Sequence, residues 1–482
     1  MEQRVAIWMS WRLLVCWPFL LPVALQAQEP SGLPGSAQLL ISPSDQETTA
    51  TVPVMLLTLE TLQNHALEHN PTLEQAAAAI EQARGNMIQT GLYPNPQVGY
   101  LRSDPNRGGQ SRTQGVFLGQ EIVTAGKLQK SRDVESQEVN RLTWQQSAQR
   151  QRVLNDVQIR YYEVLGAQSA VALSKRLLAL AEAGVKTTED LQQAQQATRV
   201  DVLQSRLQLK TVRLSLREAE IRHRAAWKQL VSVVGCPNWS LTPVEGKLDR
   251  SIPEFDWDSS WQRLTETSPL LGAARSRIDH AFSELRREEA QPIPNVNLQL
   301  VVERDAALNY TTASTLFSVP IPVFNRNQGN IYHAHADIRE AQAEVRRTEL
   351  ALHDALADAF KRFESALAQV TAFRDDILPD AKESLKLTTE GYKAGEIGFL
   401  QVLGARQTYF STELGYVDAL TEMQKVAVEL DGLLLTGGLN PAEVGTALQT
   451  QTGFGGRQRG ILNQLQEGAS KQVLPAVLQT GP

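Results

Sequence analysis

The chain has 482 residues, 42% of them hydrophobic and 21% charged, with a formal net charge of −6. This length and mixture suit a folded chain with room for several cores, and the acidic balance argues against a nucleic-acid partner. Two cysteines, Cys16 and Cys236, are too few for a disulfide framework or a cysteine metal cluster.

Residues 1–27 read as a secretory signal, because Arg4 and Arg12 precede an apolar run from Leu13 to Leu25 that ends near the small residue Ala27. About 13 apolar residues, broken by Pro18 and Pro22, are too short to span a bilayer as a helix. Cleavage near Ala27 removes Arg4, Arg12 and Glu2, which takes the net charge from −6 to −7 and leaves Cys236 as the sole thiol. Val15 before Cys16 makes a poor lipidation site. Past residue 27 no run approaches 18 apolar residues, so no spanning helix is expected there. Residues 28–57, rich in Pro, Ser, Gly and Thr, read as a flexible linker.

A helix is predicted from about Leu59 and a second from Pro71, with proline in its first turn. The second ends near Gly91, before Pro94 and Pro96. Residues 97–123 then change period: Val98 and Tyr100 alternate with their neighbours, a turn follows, and Val116, Leu118 and Gln120 return. A very long helical pattern comes next, with Leu203, Leu207, Leu214, Ile221 and Ala225 read as its coiled-coil seam.

The same order is then repeated 198–200 residues later. Pro269 and Pro292 lie 23 residues apart, as Pro71 and Pro94 do, and a further proline follows two residues on in both cases. Asp201-Val202-Leu203-Gln204-Ser205-Arg206 returns as Gln401-Val402-Leu403-Gly404-Ala405-Arg406. The second hairpin, about 295–320, sets Val296, Leu298, Leu300 and Val302 against Asn295, Asn297, Gln299 and Glu303. From Gln328 to Tyr392 the pattern would span roughly 90 Å of helix, with Leu356, Phe360, Phe363, Leu367 and Val370 as its seam and a kink at Pro379. A period near 200 is too long for a solenoid. The expected organisation is a repeat over 58–236, a linker over 237–262, a second repeat over 263–440 and a mobile tail over 441–482.

Two hairpins give four strands of the length that crosses a bilayer as tilted β-structure, yet four strands cannot close. Open edges cannot stay unpaired in lipid, so the chain is expected to share a barrel with copies of itself. A trimer with 12 strands is the economical closure.

Two segments carry a family resemblance. One is Pro320-Ile321-Pro322-Val323-Phe324-Asn325-Arg326-Asn327-Gln328-Gly329-Asn330; the other runs from Gly391-Tyr392-Lys393-Ala394-Gly395-Glu396 to Leu403. Together with the duplicated order they resemble the TolC-like outer membrane efflux proteins over about 58–440, most of all the cobalt-zinc-cadmium resistance branch. The resemblance implies a mainly α fold with a small membrane β-barrel portion, a trimeric 12-stranded barrel that continues into a long α-helical barrel. It implies an outer-membrane location with a periplasmic helical extension, in contact with outer-membrane lipid. It implies a passive exit duct, with heavy-metal cations among its cargoes, that works with a periplasmic adaptor and an inner-membrane resistance-nodulation-division pump. No enzyme activity and no cofactor are expected, and no phosphate-binding glycine loop is seen. The alternative from another class is an exported soluble coiled-coil scaffold.

In that family the turn between the long helices forms a periplasmic tip that narrows the tube. The matching stretches run from Ala197 to Arg206 and from Tyr392 to Arg406. Asp201 and Glu396 are the candidate carboxylate rings there, Arg206 and Arg406 the candidate latches, and Tyr392 and Gln401 complete the candidate gate. Relatives with acidic residues at the positions of Gln401 and Gly404 make a cation-selective ring weaker here. The bland alternative is a set of solvated helix-end charges. His65-Ala66-Leu67-Glu68-His69 matches the pattern of inverted zinc peptidases, but the short helix and the missing third-ligand motif favour two surface histidines. His333 and His335, two apart, face different sides of a helix.

Overall fold

The computed structural model describes residues 57–103, 113–249, 254–305 and 309–441. The expected signal, most of the N-terminal linker and nearly all of the expected tail lie outside the described residues.

Two short helices open the first half, α1 (Leu59–His69) and α2 (Pro71–Thr90). Thr58 caps α1 in a reciprocal box with Thr61, and Asn70 caps α2 while its amide reaches the Val233 carbonyl at 2.7 Å. Strands β1 (Gln97–Ser103) and β2 (Thr113–Ile122) follow, then α3 (Lys127–Gln193) and α4 (Arg199–Val234). The second half repeats this with α5 (Trp257–Thr267), α6 (Pro269–Ala290), β3 (Val296–Asp305), β4 (Tyr310–Ser318), α7 (Gln328–Ala372), α8 (Leu378–Lys393) and α9 (Phe399–Asp431).

Between α7 and α8 one π turn, Phe373–Ile377, carries the backbone through without a break. Pro379 lies two residues beyond it and has no N–H to give back, so the ladder widens just ahead of it. The kink expected from the sequence takes this form.

All four strands make one antiparallel sheet in the order β1-β2-β3-β4, leaving β1 and β4 as its edges. The register sorts the side chains by face. Val98, Leu118 and Leu300 stand in one row across the sheet, and Tyr100, Val116 and Val302 in another. These six residues are between 46% and 77% exposed, so the sheet presents an apolar face that none of the described residues covers. The opposite face is the more polar one, with Gln97, Gly119, Gln299 and Leu316 in one row and Glu121, Asn297 and Ser318 in another, although Phe117 and Val301 also stand on it. One face suits lipid and the other suits water.

The junction between sheet and helices is fixed by polar contacts. Thr124 donates to the Pro294 carbonyl at 2.7 Å, Lys127 Nζ to Asn295 at 2.9 Å, and Asn295 in turn to Glu121 at 2.7 Å. In the other half Asn327 donates to Glu288 at 2.6 Å. Gly126 and Asn327, with φ of 62° and 59°, occupy the same left-handed position before α3 and α7.

The main core gathers where the middle of α3 meets α1, the ends of α4 and α9, and the middle of α7. Val153, Val157, Val164, Leu230, Leu356, Met423 and Val426 are among its most buried members. Tyr161, Tyr162 and Trp227 are buried in it as well. The expected seam of α7 holds: Leu356, Phe360, Phe363 and Val370 are buried, and Leu367 packs against them. Helix α3 is long and apolar enough, by length and composition, to cross a membrane, although no run of 18 consecutive apolar residues occurs in it. Its apolar side chains supply this core instead.

The seam expected on α4 has to be corrected. Leu203, Leu207, Leu214, Ile221 and Ala225 are all exposed, and the side of α4 that packs carries Val202, Ser205, Val212 and Ala219. These form a second heptad rhythm beside the first, and small residues at 205 and 219 let α3 approach. Side by side the long helices run α4, α3, α9 and then α7 with α8, so α4 bounds one side of the layer.

Candidate functional site

The far ends of the helix pairs are two versions of one turn. The N–H groups of Gln196 and Ala197 converge on the Leu191 carbonyl at 2.8 and 3.2 Å, and those of Glu396 and Ile397 on the Gly391 carbonyl at 2.9 and 3.3 Å. Each turn needs a left-handed residue, Gln195 at φ 59° in one and Gly395 at φ 79° in the other. A side chain in that region costs about 1 kcal/mol, which the second tip avoids with glycine.

The two tips differ in how the next helix is capped. Thr198 and Asp201 form a capping box: Asp201 accepts from the Thr198 N–H at 2.9 Å and from its hydroxyl at 2.8 Å, while its own N–H donates to Thr198 Oγ1 at 3.2 Å. The second half has Gly398 and Gln401 at these places and no side-chain cap. The difference between Asp201 and Gln401 is therefore one of helix-end chemistry. The pattern Thr-x-x-Asp was readable as a cap from the sequence.

Three of the six expected gate residues come together. Burial and then the Asp201 carboxylate raise the Tyr392 hydroxyl above its ordinary value, with Arg406 opposing. Burial lowers the Arg406 guanidinium, with Tyr392 opposing. The Tyr392 ring meets that of Phe399 at 5.8 Å between centroids. Arg406 reaches from α9 to α3, where Gly184 leaves room: a Cβ there would lie 3.1 Å from Nη1.

The other three lie apart. Arg206 donates twice to Glu189 of α3, at 3.0 and 2.7 Å, so this arginine is held within its own chain. Glu396 and Gln401 are exposed. Glu189 and Gly184 were not foreseen, since neither sits at a local spacing from its partner. Further up, Gln208 of the first repeat and Gln407 of the second bond to each other at 3.0 Å. Tyr409 donates to Glu413 at 2.7 Å, and burial with that contact pushes its hydroxyl up to about 12. The arrangement ties the tips to the neighbouring helices of the same chain.

Comparison with known proteins agrees with this geometry. The model of the Outer membrane efflux protein family matches residues 62–236 and 261–434, one match for each repeat. The cobalt-zinc-cadmium resistance protein CzcC of Cupriavidus metallidurans is 26% identical over 382 residues, covering 78% of this chain and 90% of that protein. Two solved structures share the fold. The CusC channel is 18% identical with a TM-score of 0.66, covering 79% of this chain and 92% of its own. The VceC outer membrane protein of Vibrio cholerae is 18% identical with a TM-score of 0.65, covering 79% and 97%. The chain belongs to the outer membrane efflux protein family and is a channel subunit of the outer membrane, its long helices extending into the periplasm.

Proposed function

We propose that three copies of this chain close into one duct, a 12-stranded membrane wall above a helical barrel, through which an inner-membrane resistance-nodulation-division pump and a periplasmic adaptor discharge their cargo. The observation that carries this is the pair of unfinished edges at both levels. Strands β1 and β4 have partners on one side only, and in lipid such an edge must be paired. Helix α4 keeps a second heptad seam exposed, and a helix in a closed ring needs two seams, one for each neighbour. The edge of the next copy offers Leu350 of α7 and Leu387 of α8, both largely exposed. A cyclic head-to-tail contact of these edges closes the ring.

Divalent heavy-metal cations are the proposed cargo, on the strength of the cobalt-zinc-cadmium resistance protein that this chain is similar to. The duct performs no chemistry and its driving force comes from the pump. At the periplasmic end the proposed gate is Tyr392 with Asp201 and Arg406, closing each tip onto its own chain. Residues 1–27 would direct export before removal.

Membrane fractionation with sizing of the detergent-extracted protein tests the assembly: a trimer in outer membranes is expected, and a soluble monomer would overturn it. For the gate, Arg406→Ala is expected to raise conductance in a planar bilayer, and unchanged conductance there and in Tyr392→Ala would remove it. For the cargo, loss of the gene should sensitise cells to cobalt, zinc or cadmium, and sensitivity to organic drugs alone would point elsewhere.

A further inference from the structure

The last turn of α1 lies far along the chain from the tips and holds a cluster that the duct does not use. His65, Glu68 and His69 stand at positions i, i+3 and i+4 of one helix and share its face. One ligand atom from each lies within 4.8 Å of the other two. The geometry points to a divalent transition-metal site formed by His65, Glu68 and His69, distinct from the proposed gate residues.

Three further observations separate this turn from two stray surface histidines. His69 Nδ1 donates to the His65 carbonyl at 3.0 Å. In the neutral ring this requires the Nδ1–H tautomer, which leaves the Nε2 lone pair free for a metal, oriented as outer contacts orient metal-bound imidazoles. His65 is steadied from outside the helix by Trp239, edge to face at 5.1 Å between centroids. The turn is also the C-terminus of α1, where the unpaired carbonyls favour a cation.

The backbone beneath is rigid. Asn70 ties the joint after α1 to Val233 at 2.7 Å. A Cβ at Gly235, whose φ is 87°, would collide with the His69 carbonyl, so the end of α4 presses directly on this turn. A preorganised turn loses little freedom when a metal joins its side chains.

Two imidazoles and one carboxylate suit borderline cations such as Zn²⁺, Co²⁺, Ni²⁺ and Cu²⁺, and disfavour Ca²⁺ and Mg²⁺, which take oxygen ligands. Three ligands leave coordination positions to water, so the ion would exchange readily where a closed structural site would not. The H-x-x-E-H pattern carries no peptidase role in this setting: Glu68 converges as a ligand on an exposed turn. The inference does not depend on metal cations being the cargo, since it concerns a surface turn outside the proposed gate.

Co²⁺ titration of the purified full-length protein in detergent, read by visible absorption and then by displacement with Zn²⁺, tests the site. One saturable ion per chain is expected. His65→Ala with His69→Ala should abolish it, and Glu68→Gln should weaken it by about tenfold. Size-exclusion profiles matching the wild type show that these exposed changes leave assembly intact. His333→Ala with His335→Ala, at two other exposed histidines, serves as a control and should bind as the wild type does. Absence of saturable binding, or binding that survives loss of His65 and His69, overturns the site.

Discussion

Replacing Leu207 and Leu214 together by glutamate should dissolve the channel into single chains. Both side chains lie on the exposed seam of α4, at 64% and 59% exposure, flanked by Val200, Leu203 and Ile221 at 51% to 60%. Fully burying a leucine is worth about 1.5–3 kcal/mol, so at this exposure the pair contributes about 2–4 kcal/mol to each contact between copies. Two carboxylates forced into the same contact would each add a penalty of several kcal/mol. A ring of three has three such contacts, so the change multiplies and assembly fails. Sizing by light scattering of detergent-extracted protein reads the result. Leu207→Met with Leu214→Met conserves volume and should cost less than about 1.5 kcal/mol at each position, keeping the assembly. A glutamate double variant that remains trimeric, with unchanged thermal stability, would refute the assignment of this seam to the contact between copies.

Other outcomes follow from single interactions. Thr198→Ala should cost about 0.5–2 kcal/mol of local helix stability, seen as faster amide exchange at the start of α4 with no change at the start of α9. Asn155 donates to the carbonyls of Gly432 at 2.7 Å and Leu435 at 2.6 Å; the Gly432 carbonyl keeps the Leu435 N–H at 3.2 Å, so Asn155→Ala strands the Leu435 carbonyl and should lower the unfolding free energy by about 1–3 kcal/mol in denaturant titrations. Burial and Glu413 hold the Tyr409 hydroxyl up to about 12. Its contribution to stability is therefore full below the ordinary tyrosine value near 10 and is lost as the pH rises toward about 12. Ultraviolet titration of Tyr409→Phe should lack one of the late tyrosinate steps seen in the wild type.

Much of this architecture could be read from residue patterns. The paired prolines, the alternating strands and the long apolar rhythms gave the order of elements in both halves, and Pro379 announced the wide turn between α7 and α8. Periodicity shows that a helix has a sticky side without showing what covers it. On α4 two heptad rhythms overlap, and the one with the larger side chains, Leu203 to Ile221, is the one left uncovered, because α3 comes close only over the smaller residues. The tip was legible as a turn, whereas its pairings were not. Arg206 finds Glu189 across a helix pair, and Arg406 reaches Gly184 in the other repeat; such meetings depend on tertiary packing. For the histidine pair on α1 the spacing was plain. What the spacing could not tell was the hydrogen bond that fixes which nitrogen stays free.

The unequal caps at the two tips bear on how such an aperture could widen. A ring of three chains would carry six tips, alternating between a helix start locked by Thr198 with Asp201 and one that begins at bare Gly398. Swinging the second kind outward breaks no side-chain cap, and its turn already passes through glycine at 395. The first kind would have to give up its box, at about 1 kcal/mol for each chain. An iris made of alternating stiff and yielding blades would open with threefold symmetry, the α8–α9 blades moving first while the α3–α4 blades hold the frame.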